Sequence, residues 1–358
     1  MSIPTRKDDH IKFSLEHDVQ THVPAGFEDI TLIHTALPEL AYGEIDTSVE
    51  LFGKQLSFPC MISALTGGSS LAGTLNVALA KLADSHRIAI SVGSQRAMHV
   101  DPSLTGTYNI RKYAPDALLF SNIGIAQLIG MGNDEVDRLV EAIGADVLAV
   151  HLNPLQEVVQ PEGDTDFRGG IERIRELKDE APYPVIVKET GAGISAEVAE
   201  QVSFLDGIDV AGVGGTSFAA VEYYRTSDTD MRESAKLFWD WGIPTVSSIV
   251  EVAEHFKTII ASGGIRNGIH IAKAIAMGAT CAGLALPFLA AVHAGGTVAP
   301  EQTITKLQRE LKMAMLLTGS RTIGDLARKS VIIKGATRDY IVDRGFSAEF
   351  YARKEEFI

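Results

Sequence analysis

The chain has few cysteines, no long apolar run and no concentration of positive charge, and each shortage removes a class of protein. Only Cys60 and Cys281 occur in 358 residues, without the paired spacing of a zinc site or the density of a disulfide framework. They read as core thiols in a reducing compartment. No apolar stretch approaches the roughly 20 residues that cross a bilayer. Residues 2–10 form a polar run rather than a secretory leader, so a cytoplasmic, soluble protein is expected. With 32 basic against 46 acidic residues the formal charge is −14, and no Lys/Arg cluster offers the surface that nucleic-acid phosphates require. The expected partner is a small molecule.

What is present is repetition. From about residue 58, short apolar or β-branched runs alternate with longer amphipathic segments, the pattern of parallel βα units. Nine runs resemble strands: Pro59–Ala64, Ala89–Val92, Leu118–Asn122, Val147–His151, Val185–Glu189, Asp209–Val213, Thr245–Ser247, Ile259–Ser262 and Cys281–Leu284. Thr245–Ser247 follows Pro244 and leads towards Glu251, which suits a helix start better than a buried strand. Eight strands remain. Helical spacing marks Leu71–Ser85, Asp134–Gly144, Gly170–Asp179, Ser195–Gly207 and Asn267–Gly278, with Gly144, Gly207 and Gly278 as stops. The fold class expected is α/β, a (β/α)8 TIM barrel, because closure covers both faces of a parallel sheet and removes its edges. An open doubly wound sheet is the rival. The barrel is assigned to 58–298, with an N-terminal extension at 1–57 and a C-terminal helical extension at 299–358. Long insertions after strands four and six enlarge the end where barrel enzymes hold their sites.

Strand seven ends in Ser262-Gly263-Gly264-Ile265-Arg266 and strand eight in Gly283-Leu284-Ala285-Leu286-Pro287. Glycine lets backbone N–H groups approach an anion closely, and a helix N-terminus adds partial positive charge, so these turns suit a phosphate. Lys188 closes strand five and needs a negative partner: a phosphate, an anionic flavin edge or Glu189. Donors from Ser63–Gly68, Ser91–Arg96 and Asn122 complete a rim that resembles a flavin cradle. Strand four delivers His151-Leu152-Asn153-Pro154-Leu155-Gln156-Glu157. There His151 suits a neutral donor or a cation, Gln156 an orienting or relay group, and Glu157 a Mg²⁺ ligand if a phosphorylated substrate supplies further oxygens. Arg6, Lys7 and His10 lie in a charged terminal run, ordinarily a solvated tail, but also an arm able to close over an anion. No Gly-x-Ser-x-Gly elbow or full dinucleotide fingerprint is present.

These motifs resemble the type 2, FMN-dependent isopentenyl-diphosphate isomerases over almost the whole chain: Arg6-Lys7-x-x-His10, Thr66-Gly67-Gly68, Ser94-Gln95-Arg96, His151 to Glu157, Lys188-Glu-Thr-Gly191, Gly214 to Ser217 and Ser262 to Arg266. The resemblance implies FMN contacts from Ala64, Leu65, Thr66, Ser94, Asn122, Lys188, Thr216, Gly264, Ile265, Arg266, Ala285 and Leu286. It implies substrate contacts from Arg6, Lys7, His10, Ser94, Gln95, Arg96, His151, Asn153 and Gln156, and Mg²⁺ at Glu157. Gln156, His151 and Lys188 are the catalytic candidates, NADPH the reductant, and a homotetramer or homo-octamer the assembly. Two departures are apolar: Phe218 where many members carry Trp, and Leu65 where Met is common. The competing reading is an FMN-dependent oxidoreductase of the hydroxyacid-oxidase type, which shares the cradle.

Overall fold

Along each barrel strand, side chains alternate between the helices outside and the closed interior. In β4 (Val147–His151), Leu148 and Val150 join the outer core, whereas Val147 and Ala149 fill the interior. The same alternation holds in β1 (Cys60–Ile62), β2 (Ala89–Ser91), β3 (Leu119–Gly124), β5 (Val185–Lys188), β6 (Gly207–Asp209), β7 (Ile259–Ser262) and β8 (Cys281–Leu284). Met61, Ala89, Phe120, Ile186, Ile260 and Cys281 all face inward. One step of two further along, the inward positions become Ser63, Ser91, Asn122, His151, Lys188, Asp209, Ser262 and Gly283. A packed apolar interior therefore gives way to a polar layer at the C-terminal end of the barrel.

The computed structural model describes residues 3–295 and 298–354, with side chains from residue 7 onward. All eight strands pair in parallel in sequence order, and β8 closes on β1 through Ala282 opposite Cys60. This is the expected (β/α)8 barrel rather than the open sheet. Thr245–Val252 is a wholly buried helix, as its Pro-led start suggested. The sixth strand differs from expectation. It runs Gly207–Asp209 instead of Asp209–Val213, because Ala211 adopts φ 36° and turns the chain out of the sheet. The preceding helix is correspondingly short, Ala196–Gln201, so Gly207 opens a strand and does not stop a helix.

Both extensions are built into the barrel. A hairpin, Val49–Leu51 with Lys54–Leu56, inserts Leu51 and Leu56 into the interior cluster at the N-terminal end of the barrel, and Phe52 meets Phe120 edge to face. Strand Ile30–Leu32 pairs antiparallel with Val331–Ile333, joining the N-terminal extension to the C-terminal one. The helix Val298–Leu317 packs against Gly268–Met277. The charged N-terminal run is not a loose tail: Ile3–Glu16 is a helix, with Ile11 docked against Leu75 and Leu289.

Candidate active site at the C-terminal end of the barrel

The polar layer opens into a single cleft. Ala64, Leu65, Ser94, Asn122, Lys188 and Thr216 line it, together with Gly264, Ile265, Arg266, Ala285 and Leu286. Lys7, His10, Arg96, His151, Asn153, Gln156 and Glu157 face the same space. Residues dispersed over 280 positions of sequence thus meet at one end of one barrel. The side chain of Arg6 lies outside the described residues.

Two expected contacts are placed elsewhere. Gln95 is fully buried behind the wall; its Nε2 donates to the Leu139 carbonyl at 2.8 Å, and its Oε1 accepts from Ser121 Oγ and, at 3.0 Å, from Asn122 N. With both ends of the amide occupied it braces β3 rather than meeting a ligand. Thr66 is also off the cleft surface, its carbonyl taken by Gly93 N and Asn76 Nδ2, although its buried Oγ1 has no partner.

Two glycine-rich loops approach each other closely. Gly264 sits at φ 73°, and a Cβ there would lie 2.4 Å from Gly214 O; a Cβ on Gly215 would lie 2.7 Å from Gly264 N. The loops therefore pack backbone to backbone beside the start of Gly268–Met277, an arrangement that suits an anion. The segment 19–21 is laced across the same loop, with Thr21 N donating to Gly215 O and Ser217 N to Val19 O. Ser63 Oγ and Asn153 Oδ1, both buried in the cleft wall, have no hydrogen-bond partner. Orphaned buried polar atoms at a cleft are what a site built for a polar ligand leaves. The residues present fit FMN.

Electrostatics distinguish floor from mouth. At the floor, Lys188 Nζ donates to Glu189 O at 2.7 Å; burial lowers its pKa, while Asp209 and Glu189 oppose the shift. Burial pushes Glu189 up to about 7, against the three N–H groups of Thr190, Gly191 and Ala192 that its Oε2 accepts. His151 Nδ1 lies 2.8 Å from Asn122 Oδ1. Asn122 Nδ2 is committed to Val92 O at 3.1 Å, so Oδ1 must face the ring and Nδ1 must be the donor. Burial, then the charges of Lys188 and Lys7, hold the imidazole pKa well below 6.5. His151 is therefore neutral and presents a lone pair at Nε2.

At the mouth, His10 Nε2 meets the buried Glu222 at 3.0 Å, and Arg96 Nη1 lies 3.0 Å from Asp164 Oδ2. Glu157, 4% exposed, accepts Asn153 Nδ2 at 3.0 Å and Asp164 N at 2.7 Å. Among the described residues no group of three or more His, Cys, Asp or Glu could enclose a metal. A cation at Glu157 fits only with ligand oxygens completing its shell. Sequence reading missed Glu222, Asp164, Gln127 and Asp209, since an isolated acid or amide in a loop or helix carries no local sign of its partner.

Residues 136–333 match the FMN-dependent dehydrogenase family. Isopentenyl-diphosphate delta-isomerases of Thermococcus onnurineus and Methanothermobacter thermautotrophicus are each 46% identical to the chain, over 95% and 98% of it and 94% and 99% of their own lengths; that of Archaeoglobus fulgidus is 44% identical over 96% of the chain and its full length. Among solved structures, flavocytochrome b2 superposes with TM-score 0.68 at 19% identity, covering 94% of this chain and 88% of its own. Mandelate oxidase gives 0.61 at 16%, covering 91% and 92%. Those two share the fold. The barrel, the glycine-lined cradle and near full-length similarity agree: the chain belongs to the isopentenyl-diphosphate delta-isomerase family, on the FMN-dependent dehydrogenase barrel.

Proposed function

We propose that this protein isomerises isopentenyl diphosphate to dimethylallyl diphosphate, a 1,3-allylic rearrangement without net redox change, using FMN, Mg²⁺ and NADPH as reductant. The observation that carries the reading is the pairing, in a member of this family, of a glycine-lined cradle with a mouth built from Lys7, His10, Arg96 and Glu157 on three separate elements. Bound and reduced, FMN supplies the acid–base chemistry that protonation of an alkene demands. The chain's residues do the rest. The loops at Gly264–Arg266 and Ala285–Leu286 hold the cofactor phosphate, and Lys188 brings positive charge to the cleft floor. Lys7, His10 and Arg96 hold the substrate diphosphate, and Glu157 with diphosphate oxygens holds Mg²⁺. Gln156, whose Oε1 accepts from Asn153 Nδ2 at 3.2 Å, orients the five-carbon end. His151 Nε2 accepts a proton at that atom when an anion arrives. Phe218 and Leu65 keep the hydrocarbon pocket dry.

Buried thiols at Cys60 and Cys281 support a cytoplasmic setting, and exposed Leu237 and Trp241, 84% and 62% accessible, offer apolar surface for a homotetramer or homo-octamer. Among the described residues no helix is long and apolar enough to cross a membrane. Anaerobic incubation with FMN, Mg²⁺, NADPH and isopentenyl diphosphate should yield dimethylallyl diphosphate with only catalytic consumption of NADPH. Omitting the reductant or adding EDTA should abolish the product. A flavin-loaded, reducible protein that forms none, or that instead turns over NADPH stoichiometrically against an organic acceptor, defeats the reading in favour of the oxidoreductase.

A further inference from the structure

We infer that Asp164, in the turn that follows the helix Pro154–Val159, is a positioning residue that sets two ligand-facing groups at once: Arg96 through its carboxylate and Glu157 through its backbone N–H. The inference rests on the diphosphate reading above and deepens it. Arg96 Nη1 lies 3.0 Å from Asp164 Oδ2, and the same oxygen accepts Gln127 Nε2 at 3.0 Å. Asp164 N donates to Glu157 Oε2 at 2.7 Å, while Asn153 holds the other carboxylate oxygen at 3.0 Å. One residue therefore bridges the cation expected to face phosphate and the carboxylate expected to face Mg²⁺, which arrive from β2 and β4.

The turn is shaped for this. A Cβ on Gly163 would lie 1.8 Å from Glu157 O and 3.0 Å from its Cα, so only glycine lets the chain fold back tightly enough for the next N–H to reach the Glu157 side chain. On the other flank, Glu162 is gripped by Arg225 at 2.8 and 2.9 Å; Arg225 Nε also holds buried Glu222 at 2.6 Å, and Glu222 meets His10. The turn 162–164 thus ties the N-terminal helix to both groups.

An ion pair this exposed adds little to folding stability. A carboxylate beside an anion site also repels the ligand, so its presence there needs another reason. The contact to Arg96 is made by one terminal nitrogen, not by the guanidinium fork, which leaves the remaining donors for a phosphate while removing rotamer freedom that binding would otherwise cost.

The test uses full-length, FMN-loaded protein and inorganic pyrophosphate with Mg²⁺, followed by calorimetry. Asp164→Asn keeps the backbone N–H and loses the charge. It should weaken pyrophosphate roughly tenfold, the scale of one oriented charge-assisted contact, and raise KM for isopentenyl diphosphate similarly, with kcat, FMN stoichiometry and half-saturating Mg²⁺ near wild type. Asp164→Glu should restore part of the affinity. Gly163→Ala moves the N–H as well, so it should raise both the pyrophosphate Kd and the Mg²⁺ requirement; Asp164→Ala serves as a second side-chain variant if either misfolds. Wild-type-like or tighter pyrophosphate binding in both Asp164→Asn and Asp164→Ala overturns the assignment, tighter binding showing a competitor rather than a positioner. If wild-type protein itself fails to bind pyrophosphate, the diphosphate reading falls first and this one with it.

Discussion

His151 shows how a single side chain's role is settled by its neighbours. Its position after an apolar strand marks it for the barrel mouth, but neutral donor and cation were both open. Asn122, anchored to the Val92 carbonyl, makes Nδ1 the donor, and burial beside Lys188 and Lys7 keeps the ring neutral. The sign of the pH effect follows. A folded-state pKa below the unfolded 6.5 means that the unfolded chain takes up the proton first. The stability carried by the neutral ring is complete above about 6.5 and is lost as pH falls below it. Added pyrophosphate should act in the opposite sense on the ring, since a nearby anion favours imidazolium. Imidazole ¹⁵N shifts should show an Nδ1–H tautomer that does not titrate near 6.5 in FMN-loaded protein, and a raised pKa with saturating pyrophosphate. A free-state midpoint at or above 6.5 would refute the assignment. Gln95 gives the contrary lesson: adjacent to Arg96 in a promising motif, it points the other way because the strand-to-helix turn buries it under Asn122.

At the scale of elements, the site is the continuation of strand alternation. Strands whose inward positions are Met61, Phe120, Ala149 and Ile186 lead on to Ser63, Asn122, His151 and Lys188, so the change from packing to chemistry takes one residue pair. The boundaries of these runs were legible because apolar strands flanked by helices leave a strong pattern. The sixth strand was not, because Asp209–Val213 is apolar enough for a strand while a left-handed Ala211 ends the pairing early. The loops depend on close backbone approach. Gly264→Ala forces a side chain into a left-handed backbone, which costs roughly 1–2 kcal/mol, and drives its Cβ against Gly214 O. Flavin occupancy of the purified variant, read by bound-flavin absorbance and by FMN titration, should fall at least about tenfold while the far-ultraviolet dichroism stays that of a folded barrel. Full occupancy would show that this turn does not contact the cofactor.

For the whole molecule, the N-terminal helix is the part that long-range packing decides. Ile3–Glu16 carries Lys7 and His10 to the mouth because Ile11, 7% exposed, seats against Leu75 and Leu289, Phe13 packs by Val19 and Val221, and His10 meets Glu222. Burying one such side chain is worth about 1.5–3 kcal/mol, a large share of what holds this mostly polar helix in place. Ile11→Asp should unseat it. The expected result is a KM for isopentenyl diphosphate raised tenfold or more, by the measure of about 1.4 kcal/mol per decade, with FMN stoichiometry unchanged. Unaltered KM would mean that the helix does not contribute to substrate binding.

The amino-acid order by itself determined the eight-fold alternation, the glycine turns after strands seven and eight, and the polar run after strand four, because each is a local pattern of period two, of helical period or of turn chemistry. Tertiary structure alone decided which polar groups share a cleft, which tautomer His151 adopts, and why Gln95 is masonry while Asp164 is within reach of Arg96. Those outcomes depend on closure of the barrel, which brings residues hundreds of positions apart within hydrogen-bond distance and removes the water that would otherwise solvate them.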